Sequence, residues 1–350
     1  MRLFITILIC SFFTVVQSQT YQNPVLVPGN FYNTNINSLA DPFVFKDSDE
    51  TYYMYVTGNG YPCFSSPDLV NWKFEGRVFP KDSRKWAVKS FWAPEVIQYN
   101  NKYYLHYTAA RQDNIKRVGV AVSDSPKGPF MDVDDKPFLD FGERGAIDSH
   151  VLTDDDGRAY MYYTYALDSA PELNGSKRSE IWVVEVTPDL TKILSEPKML
   201  FYPTQEWEFK PNRKMYWNEG PYVVKHNDTY YLMYSANCFC NESYALGYAT
   251  SKSPLGPFIK YSGNPILTSF SLPGEISGTG HHAMTKSPDG KEWIVVYHSH
   301  VHVGQLNEDN HGIRQVNIDR LEFRPDGSMQ VLGPTMSPQK YPSNSKCKKK

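Results

Sequence analysis

Single polar residues in turn-forming contexts precede aromatic, strand-like segments, and this pairing recurs along the chain. Glu219 lies in Asn218-Glu219-Gly220-Pro221, and the Tyr-rich alternation of residues 229–235 that follows is typical of a strand. The same order occurs at four further places, and the polar residues there are Asp41, Glu95, Asp148 and His281. Carboxyl groups that meet in one site can act as a general acid and a general base. The repeat therefore indicates chemistry carried out by paired carboxylates.

The spacing of the aromatic segments indicates which elements must position these groups. The segments begin at Tyr52, Tyr103, Tyr160, Tyr230 and Trp293. Their period is roughly 50 to 70 residues, which is typical of four-stranded propeller blades with loops of variable length. Helical periodicity is absent from the pattern. We therefore predict an all-β, single-domain, five-bladed β-propeller over residues 19–335, with the five polar residues facing one another across the axis.

Composition and the termini bound the class of protein. The formal net charge is −2 and no long basic face is present, so binding to nucleic acid or to an anionic membrane is not indicated. Residues 1–18 combine a charged start, a short apolar centre and a small residue, which predicts a cleaved signal peptide and a secreted protein. The polar, basic tail at residues 336–350 is predicted to be disordered.

Four cysteines remain after the predicted cleavage, and four cysteines allow three complete pairings. They are Cys63, Cys238, Cys240 and Cys347. Cys238 and Cys240 would share one face of an extended strand, so each is expected to pair with a partner elsewhere. The Asn-X-Ser/Thr sequons place candidate N-glycans at Asn174, Asn227 and Asn241.

Several of these segments resemble the signature segments of glycoside hydrolase family 43. The resemblance lies in residues 40–44, 92–96, 147–151 and 218–221, in residues 278–282, and in Arg314 ahead of residues 318–321. It covers nearly the whole chain after residue 18, and the segments follow the family's order. The resemblance implies a five-bladed β-propeller that removes arabinofuranosyl or xylosyl units from plant cell-wall polysaccharides with inversion of configuration.

The resemblance also implies roles for individual residues. Asp41 corresponds to the general base, Glu219 to the general acid, and Asp148 to a third carboxylate that raises the pKa of the acid. A negative neighbour does favour the protonated form of a carboxyl group, so this last role has a physical basis. Arg314 resembles an arginine that reaches toward the catalytic acids and the sugar hydroxyls.

Other residues of the repeat leave alternatives open. Glu95 is expected either to bind sugar hydroxyls or to support the funnel-shaped site at the propeller axis by pairing with an arginine. Trp92 and Trp217 stand beside two of the acids and would either offer a face to a sugar ring or pack between blades. His281 resembles an axial histidine that supports a calcium ion through water in many family members. Calcium prefers oxygen ligands, so direct coordination by His281 alone would be weak.

The preferred function is a secreted, inverting glycosidase that acts on arabinan, arabinoxylan or xylan and needs no cofactor besides the possible calcium ion. A retaining propeller hydrolase of fructans or sucrose is the alternative enzyme, but its Asn-Asp-Pro and Arg-Asp-Pro segments are missing from this sequence. A non-catalytic, carbohydrate-binding propeller is the other alternative. It would be expected to lack one of the three carboxylates, and all three are present.

Overall fold

The computed structural model describes residues 19–30, 36–170, 176–209, 215–305 and 312–343. The predicted signal peptide, Asn174 and Cys347 lie outside these ranges. The described chain consists almost entirely of β-strands, joined by turns and three short 3-10 helices at Lys81–Ser83, Glu206–Glu208 and Ser269–Ser271. No helix among these residues is long and apolar enough to cross a membrane.

Apart from one separate two-stranded pair, the described strands form five sheets in which consecutive strands are neighbours and almost all pairs are antiparallel. The first blade contains β2 (Phe43–Lys46), β3 (Tyr52–Tyr55), β4 (Pro62–Ser66) and β5 (Lys73–Arg77). The second contains β6 (Lys89–Tyr99), β7 (Lys102–Ala110), β8 (Lys116–Ser123) and β9 (Met131–Asp132). The third contains β10 (Gly145–Thr153), β11 (Ala159–Ala170), β12 (Ser176–Val186) and β13 (Lys198–Phe201), and β14 (Met215–Tyr216) pairs with β12 in parallel.

The last two blades repeat this meander. The fourth contains β15 (Asn218–His226), β16 (Thr229–Ala236), β17 (Ala245–Ser251) and β18 (Ile259–Lys260), and β19 (Leu267–Thr268) also pairs with β17. The fifth contains β20 (Gly280–Lys286), β21 (Trp293–His300), β22 (Arg314–Phe323) and β23 (Met329–Val331). The first strands of successive blades contact one another, and β20 contacts β2, which closes the ring. The predicted five-bladed β-propeller is confirmed.

The second strand of each blade explains the aromatic repeat. All four residues of β3 are buried, and so are seven of the eight residues of β16 and of β21. A strand in the middle of a blade is covered by the neighbouring blades on both faces, so it is apolar at successive positions instead of alternating with polar residues. Large aromatic side chains fill the wedge between two blades, which places the hydrophobic core in layers between the sheets.

The first and last described segments of the chain meet beside the fifth blade. β1 (Thr20–Tyr21) pairs with β24 (Gln339–Lys340), and the Asn23 side chain exchanges hydrogen bonds with the backbone of Ile318 in β22. The prediction that disorder begins at residue 336 is therefore wrong for Gln339–Lys340, because these residues find a strand partner near the N-terminus. Residues 344–350 lie outside the described residues.

Cys238 and Cys240 form a disulfide with each other, so the expectation that each pairs elsewhere is wrong. That expectation assumed that the strand continues through both residues. Instead, β16 ends at Ala236, and Asn237 turns the chain with a φ of 72°. The two Cα atoms lie 5.0 Å apart, within the range that a disulfide spans. Cys63 is buried and forms no disulfide with any cysteine that the structure describes.

Candidate active site

The first strand of each blade has a residue with a left-handed backbone, either within the strand or just before it. Four of these five residues are not glycine. A left-handed backbone is uncommon for residues other than glycine and costs free energy. The five residues and their φ angles are Asp41 (53°), Ala93 (40°), Asp148 (53°), Gly220 (57°) and His281 (43°). We call them the turned residues. In four blades the strand pairing shifts register across this residue. Such bulges redirect side chains at the ends of strands, so each blade presents polar groups at the same end of the axis.

Side chains from the preceding blade hold these turned residues in place. At four of the five joints, the turned residue donates its backbone N–H to a side chain on, or just after, the second strand of the blade before it. The pairs are Asp41 with His298 Nδ1 (3.2 Å), Ala93 with Thr57 Oγ1 (2.8 Å), Asp148 with Thr108 Oγ1 (3.0 Å) and His281 with Ser235 Oγ (2.8 Å). The geometry at the axis therefore depends on contacts between blades.

The three predicted carboxylates meet in one cavity of about 190 Å³ at this end of the propeller. Besides Asp41, Asp148 and Glu219, the cavity is lined by Thr57, Trp92, Ile147, Phe239, His281 and Arg314. A second cavity, of about 440 Å³, shares Trp92, Ile147, Glu219 and Phe239 with the first. We call them the inner and the outer cavity. Glu219 lines both, so it stands where they adjoin.

Asp41 is held as a carboxylate. Arg314 donates Nη1–H to Oδ1 at 3.0 Å, and Thr57 donates its hydroxyl to Oδ2 at 2.6 Å. The Nδ1 atoms of His281 and His298 lie 3.5 and 3.3 Å from Oδ1. Burial alone would raise the pKa of Asp41, but the Arg314 guanidinium holds that pKa well below its usual range. Asp41 therefore carries a negative charge and can accept a proton.

Glu219 and Asp148 show the opposite behaviour. Burial raises the pKa of Glu219 to about 7, although Tyr244 donates its hydroxyl to Oε1 at 2.8 Å and opposes the rise. Burial and the nearby Glu219 charge raise the pKa of Asp148 well above its usual range. Two buried carboxyl groups that repel each other titrate as a pair. This pair therefore retains a proton near neutral pH, while Asp41 in the same cavity does not.

The residues predicted to bind sugar fall into two groups. Trp92 lines both cavities with 37% of its surface exposed, Trp217 lines the outer cavity and Arg314 lines the inner one. Glu95 lines neither. Its Oε2 lies 2.8 Å from His150 Nδ1, so its partner is a histidine instead of the arginine that was considered. Glu95 follows the turned residue Ala93 by two positions, whereas Asp41 and Asp148 are themselves turned residues that line the inner cavity.

Some residues of the site were not assigned from the sequence, among them Thr57, Tyr244 and Phe239. Thr57 had a detectable signal, because a hydroxyl residue closes the aromatic segment in four of the five repeats (Thr57, Thr108, Thr164 and Ser235). No repeated sequence pattern marks Tyr244, which lies directly before β17. Phe239 is marked only by the two cysteines that flank it.

His281 lines the inner cavity, as predicted, and its Nδ1 is directed at Asp41. Calcium takes six to eight oxygen ligands. Among the residues that the structure describes, no group of three or more His, Cys, Asp or Glu side chains is arranged to hold a metal. The donors around His281 do not fit a directly bound calcium ion. Support of the ion through water stays a prediction, and no catalytic step is derived from it.

Comparison with known proteins agrees with this geometry. The family model for glycosyl hydrolases family 43 matches residues 32–329. A crystal structure of a thermostable family-43 glycoside hydrolase is 41% identical, with a TM-score of 0.82, and the match covers 93% of this chain and 100% of that one. A xylosidase/arabinosidase of Bacteroides ovatus is 28% identical over 88% of this chain and 96% of the relative. A β-D-galactofuranosidase of Aspergillus niger is 28% identical over 79% of this chain and 75% of the relative.

The matched family model spans all five turned residues and the three carboxylates of the inner cavity. This chain belongs to glycosyl hydrolases family 43 and is a glycosidase that hydrolyses O-glycosyl bonds.

Proposed function

We propose that the enzyme hydrolyses its glycosidic bond with inversion, with Asp41 as general base, Glu219 as general acid and Asp148 as the group that tunes the acid. The observation that carries the proposal is the contrast in ionisation within one cavity. Arg314 holds the pKa of Asp41 well below its usual range, and burial raises the pKa of Glu219 to about 7. Inverting hydrolysis needs one ionised and one protonated carboxyl group on opposite sides of the sugar.

In the proposed reaction, a water molecule between Asp41 and the anomeric carbon gives its proton to Asp41 as its oxygen attacks. Glu219 gives its proton to the departing glycosidic oxygen. Its position between the two cavities supports this role, because the bond to be cleaved would lie between a sugar in the inner cavity and a leaving group in the outer one. Asp148 and Glu219 together hold one proton, because ionisation of both groups would place two negative charges close together in a site shielded from water.

For the substrate, we propose α-L-arabinofuranosyl or β-D-xylosyl units of plant cell-wall polysaccharides. The name of the Bacteroides ovatus relative, a xylosidase/arabinosidase, supports this class. The inner cavity of about 190 Å³ is of a size that suits a single pentose unit. Arg314 supplies hydrogen-bond donors for hydroxyl groups, and Trp92 supplies an aromatic face. The galactofuranosidase relative adds a furanose hexose to the substrates that should be assayed.

We further propose that the protein is secreted. The charged, apolar and small-residue order of residues 1–18 supports this proposal, and so does the Cys238–Cys240 disulfide, because disulfides persist in oxidising compartments. Asn227, one of the predicted glycan positions, is exposed in the turn between β15 and β16.

The role of Glu219 is tested by pairing a Glu219→Gln variant with leaving groups of different acidity. On arabinan or arabinoxylan, whose leaving oxygen needs a proton, the variant is expected to lose roughly 10²- to 10⁴-fold in kcat. On a dinitrophenyl glycoside, whose leaving group departs without a proton, the loss should be much smaller. Glu322→Gln is the matched control, because Glu322 is exposed near the far end of β22. Full activity of Glu219→Gln on the polysaccharide would contradict the assignment.

A further inference from the structure

The segment after β16 forms a turn that a disulfide closes around one residue. Cys238 and Cys240 are joined, and Phe239 is the single residue between them. The chain reaches this turn through Asn237, whose side-chain amide donates to the carbonyl of Ser243 at 3.0 Å. The base of the turn is therefore fixed on both sides, by a covalent bond and by a buried amide. We call residues 238–240 the disulfide turn.

A buried histidine fixes the backbone of the residue at the tip. His300 Nε2 lies 2.7 Å from the carbonyl oxygen of Phe239, and His300 Nδ1 lies 3.0 Å from Ser277 Oγ. A carbonyl oxygen can only accept, so Nε2 carries the proton and Nδ1 accepts from the serine hydroxyl. His300 is fully buried, whereas Phe239 remains 36% exposed. The turn therefore presents an aromatic ring to the cavity from a rigid base.

The ring of Phe239 is linked to the proposed general base through Arg314. The guanidinium carbon of Arg314 lies 4.7 Å from the ring centroid, within the range of a cation–π contact. The same guanidinium donates to Asp41 at 3.0 Å. A shift of Phe239 would therefore expose the face of Arg314 and change the surroundings of Asp41.

Phe239 also stands on the boundary between the two cavities. It lines both of them, as do Trp92, Ile147 and Glu219. Among these four, Glu219 is the proposed proton donor, so Phe239 lies beside the place where the glycosidic bond would be cleaved. Sugar rings pack their C–H faces on aromatic side chains, and the position of such a ring decides which sugar shapes fit.

We propose that the disulfide turn is a specificity-determining element of this active site. The Cys238–Cys240 bond holds the Phe239 ring against the sugar in the inner cavity, and that contact discriminates between glycosyl units. This inference rests on the proposed function, because it assumes that the two cavities bind the sugar and its leaving group. It differs from a purely stabilising role for the disulfide, which would leave the choice of sugar unchanged.

The test measures kcat and KM for the nitrophenyl glycosides of α-L-arabinofuranose, β-D-xylose and β-D-galactofuranose. Phe239→Ala is expected to lose roughly tenfold or more in kcat/KM on the best substrate and to change the ratio between substrates. Phe239→Leu, which keeps an apolar group, should recover part of the loss. Phe270→Ala is the matched control, because Phe270 is an exposed phenylalanine that lines neither cavity.

Reduction of the Cys238–Cys240 disulfide supplies a second measurement. It uses the wild-type enzyme, so it does not depend on whether a Phe239 variant folds. Treating the wild-type enzyme with a phosphine reductant should change the substrate ratio in the same direction as Phe239→Ala. The Cys238→Ser/Cys240→Ser variant should show the changed ratio from the start and no further response to the reductant. Mass spectrometry of the unreduced protein should recover a peptide in which Cys238 and Cys240 are linked.

Two outcomes would overturn the inference while the proposed function stands. In one, the wild-type enzyme is active, but Phe239→Ala and reduction leave all substrate ratios within about twofold of their original values. In the other, the unreduced protein carries free thiols at positions 238 and 240. If the wild-type enzyme hydrolyses none of the glycosides and no pentose polysaccharide, the proposed function fails first and the inference falls with it.

Discussion

Arg314 and Asp41 are 273 residues apart in the sequence, and their side chains meet at 3.0 Å in the inner cavity. Arg314 begins β22 in the fifth blade, and Asp41 precedes β2 in the first blade. One contact therefore joins the first blade to the last and also keeps the proposed base ionised. This pair therefore contributes both to the contact between the first and last blades and to the charge of the proposed base.

Replacing the arginine should move the acidic limb of the pH profile. In Arg314→Met, burial of Asp41 is no longer offset by the guanidinium, so the pKa of Asp41 rises. We expect the acidic limb of kcat/KM to shift upward by roughly one to three pH units, with loss of activity first at low pH. Arg324→Met, which changes an exposed arginine, is the control. An unchanged acidic limb would show that Asp41 is not the group that titrates there.

Removing the hydroxyl of Tyr244 should move the alkaline limb. This hydroxyl donates to Glu219 and lowers its pKa, so Tyr244→Phe should raise the pKa of Glu219 above about 7. We expect the alkaline limb to move to higher pH by up to about one unit. Measurement of kcat/KM across the pH range on one glycoside checks this. A downward shift would contradict the assignment of the alkaline limb to Glu219.

Removing the carboxyl group of Glu219 should stabilise the fold at and above neutral pH. The pKa of Glu219 is raised by folding to about 7, so between roughly pH 4.5 and 7 the folded state binds more protons than the unfolded state. Stability contributed by this group is thus present at low pH and is lost as the pH rises through about 7. Glu219→Gln should increase the free energy of unfolding by at least about 1 kcal/mol at about pH 8 and change it little at about pH 4.

Denaturant unfolding of Glu219→Gln and the wild type at these two pH values gives the comparison. Glu322→Gln, at an exposed position, should show no pH-dependent difference from the wild type. A Glu219→Gln protein that is less stable than the wild type at about pH 8 would mean that the Glu219 carboxyl is not buried at a cost.

The sequons at Asn227 and Asn241 should behave differently in a eukaryotic secretory host. Asn227 is exposed. The side-chain nitrogen of Asn241, where a glycan would be attached, is buried, and its Oδ1 accepts the backbone N–H of Ser243 at 2.9 Å. We expect a glycan on Asn227 and none on Asn241. Peptide mass spectrometry after enzymatic glycan release reports both sites, and occupancy at Asn241 would contradict the expected pattern.

The fold and part of the site were predictable because each blade repeats the same sequence feature, a polar residue in a turn followed by an aromatic strand. Asp41, Asp148 and His281 occupy the turned position itself, so their alignment with the aromatic segments placed them correctly at the axis. Glu95 shares the alignment but lies two residues beyond its turned residue, Ala93. The spacing to the aromatic segments varies by a few residues between blades, so it could not distinguish an acid at the turned position from one two residues beyond it.

Other features depend on the three-dimensional path of the chain. The disulfide between Cys238 and Cys240 requires the turn that begins at Asn237, and the sequence pattern favoured a continuing strand. The pairing of β1 with β24 joins segments from opposite ends of the chain. Tyr244, just ahead of β17, reaches Glu219 in β15, which lies two strands away in the same sheet. None of these contacts has a repeat in the sequence that would reveal it.

The stereochemistry of the first product tests the central proposal most directly. Proton NMR can follow the wild-type enzyme on a nitrophenyl arabinofuranoside or xyloside, at the earliest time points, before the released sugar mutarotates. If Asp41 activates water, the first-formed sugar has the opposite anomeric configuration to the substrate. A first product with the configuration retained would contradict the proposal, because Asp41 would then have to act as a nucleophile and not as a base.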